Sequence, residues 1–164
     1  MIPRAVVPSF CMLAVAVTAC GPVPAQVPPE LEPEDFVLAG VPPEADSAEI
    51  RLSFGEPDSV VITENPYDAF TPIESWYYHA FVVRYEGSAT PAGYLILGGE
   101  EATVRGVRVG DPSDRVLQLY GQPSYRQDPV WTYVDPVDES GAYVLEFLME
   151  GDTVSRIHLG RGGS

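Results

Sequence analysis

Apolar and polar residues alternate along much of the second half of the chain, and this alternation is typical of strands with one covered face. Residues 142–150 show it most clearly, with four apolar residues on one side and two acids on the other: Tyr143, Leu145, Phe147 and Met149 against Glu146 and Glu150. Similar runs predict further strands at residues 76–87, 93–98, 131–134 and 153–160. Gly151 and Asp152 predict a tight hairpin turn between the last two strands.

Two stretches, residues 40–57 and 106–123, align without a gap at an offset of 66 residues, and each predicts one short helix. We expect the first helix to be capped by Asp46 and the second by Asp111, which Pro112 follows. Gly55 and Gly121 predict left-handed residues at the helix ends. The spacing predicts two buried stripes, Ile50, Ser53 and Phe54 in the first copy and Val116, Leu119 and Tyr120 in the second.

This internal repeat predicts an α+β fold of two tandem units, residues 36–99 and 100–164, each a short helix packed on antiparallel strands. Each unit is expected to open with a strand, at residues 36–41 and 103–109, and the first to carry a longer loop at residues 57–76. A unit of about 60 residues has a marginal core. We therefore expect the two units to share one sheet.

The N-terminus has the pattern of a targeting segment. Residues 5–19 are fifteen apolar or small residues, a run that suits a signal peptide and is short for a membrane span, which needs about 20. The following Val17-Thr18-Ala19-Cys20 resembles the lipobox of bacterial lipoproteins, which implies cleavage after residue 19 and acylation of Cys20. The alternatives are a plain secretory signal cleaved near Ala25, or an uncleaved anchor. Residues 20–35 are proline-rich and predict an extended tether.

The charge of the chain is strongly negative, at −15. Removal of residues 1–19 takes away Arg4 and leaves eight arginines against 24 acidic residues, a net charge of −16. Such a surface argues against a nucleic-acid or anionic lipid partner, and leaves a cationic partner open. Because Cys11 lies in the removed segment and Cys20 is expected to be acylated, we expect no disulfide, no cysteine metal site and no thiol nucleophile.

No catalytic or metal-binding pattern stands out, so we expect a non-enzyme without a metal or cofactor. His79 and His158 occupy roughly matching places in the two copies, and Asp135, Asp138 and Glu139 form an acidic turn without the spacing of a calcium loop. The aromatic strands suggest a candidate binding surface, with core packing as the alternative: Trp76, Tyr77, Tyr78, His79, Trp131 and Tyr133. Alternation places Trp76 and Tyr78 on one face, and Tyr77, His79 and Phe81 on the other.

The second copy, over about residues 104–159, resembles the SmpA/OmlA (BamE-like) family of small outer-membrane lipoproteins. The matching positions are Gly110, Val116, Gly121, Pro123, Trp131, Tyr133, Leu145, Phe147, Gly151, Val154 and Ile157. They are glycines, a proline and apolar or aromatic residues, so the resemblance implies an α+β fold and an envelope role, and no activity. Tandem copies of a similar unit also occur in the β-lactamase inhibitor protein family.

Together these patterns lead us to expect a lipoprotein anchored by its acyl chains, with a role in binding or scaffolding another envelope protein. Gly21 after the acylated cysteine is what outer-membrane lipoproteins of diderm bacteria usually carry, which favours a periplasm-facing position if the host is such a bacterium. The alternative is an inhibitor or sensor that binds an enzyme or peptide on its sheet face.

Overall fold

One antiparallel sheet with two helices packed on it makes up the chain in the computed structural model, which describes residues 30–37, 40–88, 91–134 and 143–161. A 3-10 turn at Pro33–Phe36 comes first, and the helices are α1 (Ser47–Phe54) and α2 (Ser113–Tyr120). The described residues form eight strands: β1 (Ser59–Thr63), β2 (Ile73–Tyr77), β3 (Phe81–Glu86), β4 (Gly93–Ile96), β5 (Tyr125–Gln127), β6 (Val130–Val134), β7 (Val144–Glu150) and β8 (Thr153–Gly160).

The strand order is β1-β2-β3-β4-β8-β7-β6-β5, so each copy contributes four neighbouring strands. The last strand of each copy, β4 and β8, pair antiparallel in the middle of the sheet, with Leu95 opposite His158 and Ile96 opposite Ile157. This confirms the predicted fusion of both units into one sheet, and it relates them by an approximate twofold axis near the Leu95–His158 pair.

Helix α1 begins and ends where predicted, with the predicted cap at Asp46. The Asp46 carboxylate accepts hydrogen bonds from the backbone N–H groups of Ala48 and Glu49, and the Glu49 side chain accepts one from Asp46 N–H. The helix ends at Gly55, whose φ of 80° is positive. Its ψ of −164° makes the residue extended and not left-handed helical, and such a conformation is open to glycine alone.

The predicted N-cap of α2 is wrong. Helix α2 starts at Ser113 with Pro112 in the cap position, where φ is −71° and ψ is 151°. Asp111 instead contacts the preceding turn, where its Oδ2 accepts a hydrogen bond of 2.9 Å from Arg108 N–H. The helix ends at Gly121 as predicted, and Gly121 N–H donates to Leu117 O, but its φ of 76° and ψ of −156° are extended and not left-handed helical, as at Gly55.

A tyrosine hydroxyl ties the end of each helix to the sheet. Tyr78 donates to Gly55 O at 3.3 Å, and Tyr133 donates to Gly121 O at 2.9 Å. Burial raises the pKa of both tyrosines, so that the hydroxyls stay protonated and can donate. The two glycines are 66 residues apart, which shows that the repeat extends to individual hydrogen bonds.

The helices cover one face of the sheet and form the core there. Ile50, Val116 and Tyr120 are buried, as predicted, and Phe54 and Leu119 pack against the core from partly buried positions. Ser53 is exposed, contrary to the prediction. Helix α1 contacts the sheet through Phe54, whose ring centroid lies 4.6 Å from that of Phe81.

Several strand boundaries differ from the prediction. The run at residues 76–87 is two strands, because the chain turns at residues 78–80 and Tyr78 N–H bonds Phe81 O. Phe81 therefore faces the helices together with Trp76, opposite to the prediction. The predicted loop at residues 57–76 contains the edge strand β1, and β5 was not predicted either.

The strand expected at the start of each copy, at residues 36–41 and 103–109, does not form in the described residues. Pro33–Phe36 is a 3-10 turn, and residues 102–108 form isolated bridges, such as that between Ala102 and Arg108, and no strand. The 3-10 turn buries Asp35 in an ion pair with Arg105, whose guanidinium also donates to Leu119 O and Glu30 O. The end of the predicted tether is thereby fixed to the second copy.

We predict that Tyr133→Phe destabilises the protein more than Tyr78→Phe does. The Tyr133 hydrogen bond is shorter and Tyr133 is fully buried, so its loss should cost about 1–2 kcal/mol in the free energy of unfolding, and that of Tyr78 less. Urea denaturation of both variants measures the difference. An equal or larger loss for Tyr78→Phe would contradict this assignment.

A candidate binding face

The face of the sheet away from the helices is uncovered across its centre. We call it the open face. On β1 to β4 it carries a groove of about 410 Å³, lined by side chains that include Val61, Tyr77, Val82, Arg84 and Leu97, and by Arg156 and His158 from β8. Val61, Tyr77 and Leu97 are 42%, 38% and 44% exposed. Large apolar side chains exposed side by side in a concavity are typical of a binding site.

The two copies differ on the open face and agree on the core face. Strand register makes Trp76 equivalent to Trp131 and Val83 to Phe147, all buried. A single row of paired positions crosses the open face from Tyr77 to Val82, Leu95, His158, Glu146 and Thr132. Its first-copy half is apolar or aromatic and its second-copy half is polar. Packing therefore restricts which residues can occupy the core face, whereas the residues on the open face can differ between the two copies.

His158 is held in a fixed position at the centre of this row. Its Nδ1 lies 3.0 Å from Glu146 Oε2, and Thr132 Oγ1 lies 3.2 Å from Glu146 Oε1. Gly93 and Gly160 leave room for the ring, since a Cβ at either residue would lie 2.7 or 2.6 Å from an imidazole atom. The hydrogen bond from His158 lowers the pKa of Glu146, so this carboxylate is ionised and positions the imidazole.

A second hollow of about 240 Å³ adjoins the groove and shares Arg84, Gly93 and His158 with it. Arg161 and Glu86 also line this hollow. Arg84 Nη2 lies 3.5 Å from Glu86 Oε1, and both side chains are partly exposed, so this ion pair is weak. The open face thus gathers three arginines, Arg84, Arg156 and Arg161, around one histidine.

The six predicted binding residues lie in three different parts of the structure. Trp76, Tyr78, Trp131 and Tyr133 are buried beneath the helices and belong to the core. Tyr77 lies on the open face and lines the groove. His79 is exposed in the turn between β2 and β3, whereas His158 lies in β8, so the two histidines do not occupy matching places.

The sequence reasoning missed Arg84, Arg156, Arg161 and the glycines beneath His158. Alternation could have placed Arg84 opposite Tyr85, and Arg156 and His158 on one side of β8. Only the pairing of β4 with β8 brings these residues together. The acidic turn Asp135, Asp138 and Glu139, residues 1–19, Cys20 and most of the tether lie outside the described residues.

Within the described part of the chain, no group of three or more His, Cys, Asp or Glu side chains is suited to hold a metal ion. Neither described helix has the length and apolarity needed to cross a membrane. The open face combines exposed apolar surface, three arginines and a positioned imidazole.

Comparison with known proteins identifies a fold and no family. No protein-family model matches the chain, and no curated protein matches it significantly. Among solved structures, it is similar to a cysteine-rich secretory protein from Staphylococcus aureus, with 14% sequence identity and a TM-score of 0.51. The match covers 80% of this chain and 48% of that one, so this chain spans about half the length of that protein. At this identity the likeness shows the fold alone.

We predict that Glu146→Gln removes a pH-dependent part of the stability. The folded pKa of Glu146 is lowered, so its contribution is present above its ordinary pKa of about 4.5 and is lost as pH falls through the folded value. The pair is about one-third exposed, so the contribution should be below about 1 kcal/mol. Urea denaturation between pH 7 and pH 3 should show the two proteins converging at low pH.

The exposed Glu150, on the same strand, provides the matched control. Glu150→Gln should differ from the wild type by a smaller amount than Glu146→Gln does at neutral pH. A stability gap for Glu146→Gln that grows as pH falls would contradict the assignment.

Proposed function

We propose that this chain is an envelope lipoprotein with a non-enzymatic role, which binds or scaffolds another envelope protein through the open face of its sheet. The observation that carries the proposal is the groove: exposed Val61, Tyr77 and Leu97 line a concavity that neither helix covers. The divergence of the two copies on this face supports a role for it beyond folding. No cofactor is needed for such a function.

The N-terminal pattern supports the location. A lipobox at Val17-Thr18-Ala19-Cys20 would give a mature chain anchored by several acyl chains, and two or more are needed for stable attachment. The proline-rich residues 21–35 would then separate the sheet from the membrane, up to the point where Asp35 is held by Arg105. In a diderm host, Gly21 favours the outer membrane with the domain facing the periplasm.

An inhibitor or sensor that binds an enzyme or peptide on the same face is the second candidate. The concave shape of the groove and its continuity across five strands favour it, since a projecting loop or an extended peptide fits such a surface. The two candidates differ in whether the anchor is needed. An inhibitor should act equally well without its lipid, whereas a scaffold should need its place at the membrane.

We predict that the intact mass of the protein extracted from membranes includes acyl chains on a chain that starts at Cys20. The lipobox requires this because the cysteine thiol and its new amine are both acylated. The Cys20→Ala variant is the control and should lack the added mass. A soluble, unmodified chain that starts near Ala25 would contradict the anchor and favour the secreted inhibitor.

We also predict that a photo-crosslinking residue placed at Tyr77 in intact cells gives a discrete protein adduct. Tyr77 lies in the groove, so a bound partner should be within reach. Leu52 on α1 is 90% exposed and provides the control position away from the groove. The adduct, identified by mass spectrometry and bound by the purified protein, should form from Tyr77 and not from Leu52. Equal adducts at both positions, or none at Tyr77, would contradict binding at the open face.

A further inference from the structure

The charge of the groove is opposite to that of the chain. The whole sequence holds 24 acidic and nine basic residues, yet the basic groups Arg84, Arg156 and His158 line the groove with no acid among the lining residues. Glu86 and Glu146, which pair with Arg84 and His158, are not among the residues that line it. In a protein this acidic, a cationic concavity on the uncovered face is not expected from composition. A cationic groove favours a partner that carries negative charge.

Two of the arginines on this face have no ion-pair partner among the described residues, namely Arg156 and Arg161. Elsewhere, three arginines have acidic partners, namely Arg105 with Asp35, Arg51 with Glu56 and Arg126 with Asp128, whereas Arg108 and Arg115 have none among the described residues. A guanidinium offers five donors and suits a carboxylate. Arg156 and Arg161 therefore offer donors without an acidic partner beside the groove.

Two glycines, paired across β4 and β8, make room for the His158 imidazole in the hollow that Arg84 also lines. In the sheet, Arg84 is paired with Gly93, and Gly93 is paired with Gly160. Two strand spacings place Arg84 about 10 Å from the backbone of β8. Because Gly93 and Gly160 carry no side chain, the His158 imidazole, held by Glu146, lies over them, and it lines the groove and the adjoining hollow together with Arg84 and Gly93.

The apolar part of the groove adjoins this hollow directly. Val82 is two residues from Arg84 along β3, and Tyr77 is paired with Val82. A segment that crosses the open face would thus place an apolar side chain on Tyr77 and Val82, and a carboxylate between Arg84 and His158, within one or two residues of each other.

We infer that the groove binds an acidic segment of a partner protein, in which an Asp or Glu stands next to an apolar residue. This inference rests on the proposed function and specifies its ligand chemistry. Arg84, Arg156 and His158 provide the contacts to the carboxylate, and Val61, Tyr77 and Leu97 provide the apolar contact.

The test uses three end-capped peptides that share one set of leucines and differ only at the intervening positions, which are Asp, Asn or Lys. Each is titrated into the full chain, purified from membranes in a nonionic detergent, and the imidazole signals of His158 and His79 are followed by NMR. We expect the Asp peptide to bind about tenfold more tightly than the Asn peptide, to lose this advantage at high salt, and to shift His158 but not His79.

The double variant Arg84→Gln and Arg156→Gln should abolish the difference between the Asp and Asn peptides. Arg115→Gln removes one positive charge from α2, where the arginine is exposed away from the groove, and should leave the difference unchanged. Gly93→Ala should also weaken binding of the Asp peptide, because its Cβ would lie 2.7 Å from His158 Nε2 and would displace the imidazole. Near-ultraviolet circular dichroism checks that each variant keeps the native packing.

The outcomes separate this inference from the proposed function. Equal binding of the Asp and Asn peptides, or tighter binding of the Lys peptide, would overturn the acidic partner and leave protein binding at the groove intact. Binding of vesicles that contain phosphatidylglycerol without binding of the Asp peptide would overturn it in favour of a lipid surface. Failure of the Asp peptide together with an absent Tyr77 crosslink would remove both proposals.

Discussion

The pairing of β4 with β8 is the contact on which the rest of the structure depends. Each copy alone would be a four-stranded sheet with one short helix, and so small a unit buries too little apolar surface to be stable on its own. The pairing joins two last strands that would otherwise be exposed edges, and it makes one core from residues of both copies. It also creates the candidate site, because Arg84 and Gly93 come from the first copy and His158 from the second.

The same pairing explains why the two faces of the sheet have different properties. On the core face, equivalent positions of the two copies carry residues of the same kind, such as Tyr78 and Tyr133, each bonded to the glycine that ends its helix. Substitution there would lose a buried contact. On the open face, the equivalent positions hold residues of different kinds, a buried Val82 in the first copy and a partly buried Glu146 in the second. Divergence limited to the uncovered face is what a duplicated fold allows when that face acquires a role.

The sequence predicted those elements correctly whose signal lies within a few neighbouring residues. Caps and glycines predicted both helices to within a residue or two, the β7–β8 hairpin was evident, and the repeat led to the fused sheet. Three features carried no local signal: β1 is apolar without alternation, the turn at residues 78–80 contains neither glycine nor proline, and Asp35 and Arg105 are 70 residues apart. For the site, alternation separated Tyr77 from Trp76 correctly. It could not say which arginines would meet, since that depends on the register of strands from different copies.

The net negative charge of the chain favours a cationic partner, whereas the positive charge of the groove favours an acidic one. The distance over which each set of charges acts decides between the two. Repulsion between an acidic segment and the distant carboxylates of this chain is screened beyond about 8 Å at physiological ionic strength. At the surface of the groove, Arg84, Arg156 and His158 act over a few ångströms and partly out of solvent, where charge–charge attraction is strongest. The acidic remainder of the surface slows the approach of an acidic partner and has little effect on the bound state. Local geometry, and not the overall charge, therefore determines which segment the open face can hold.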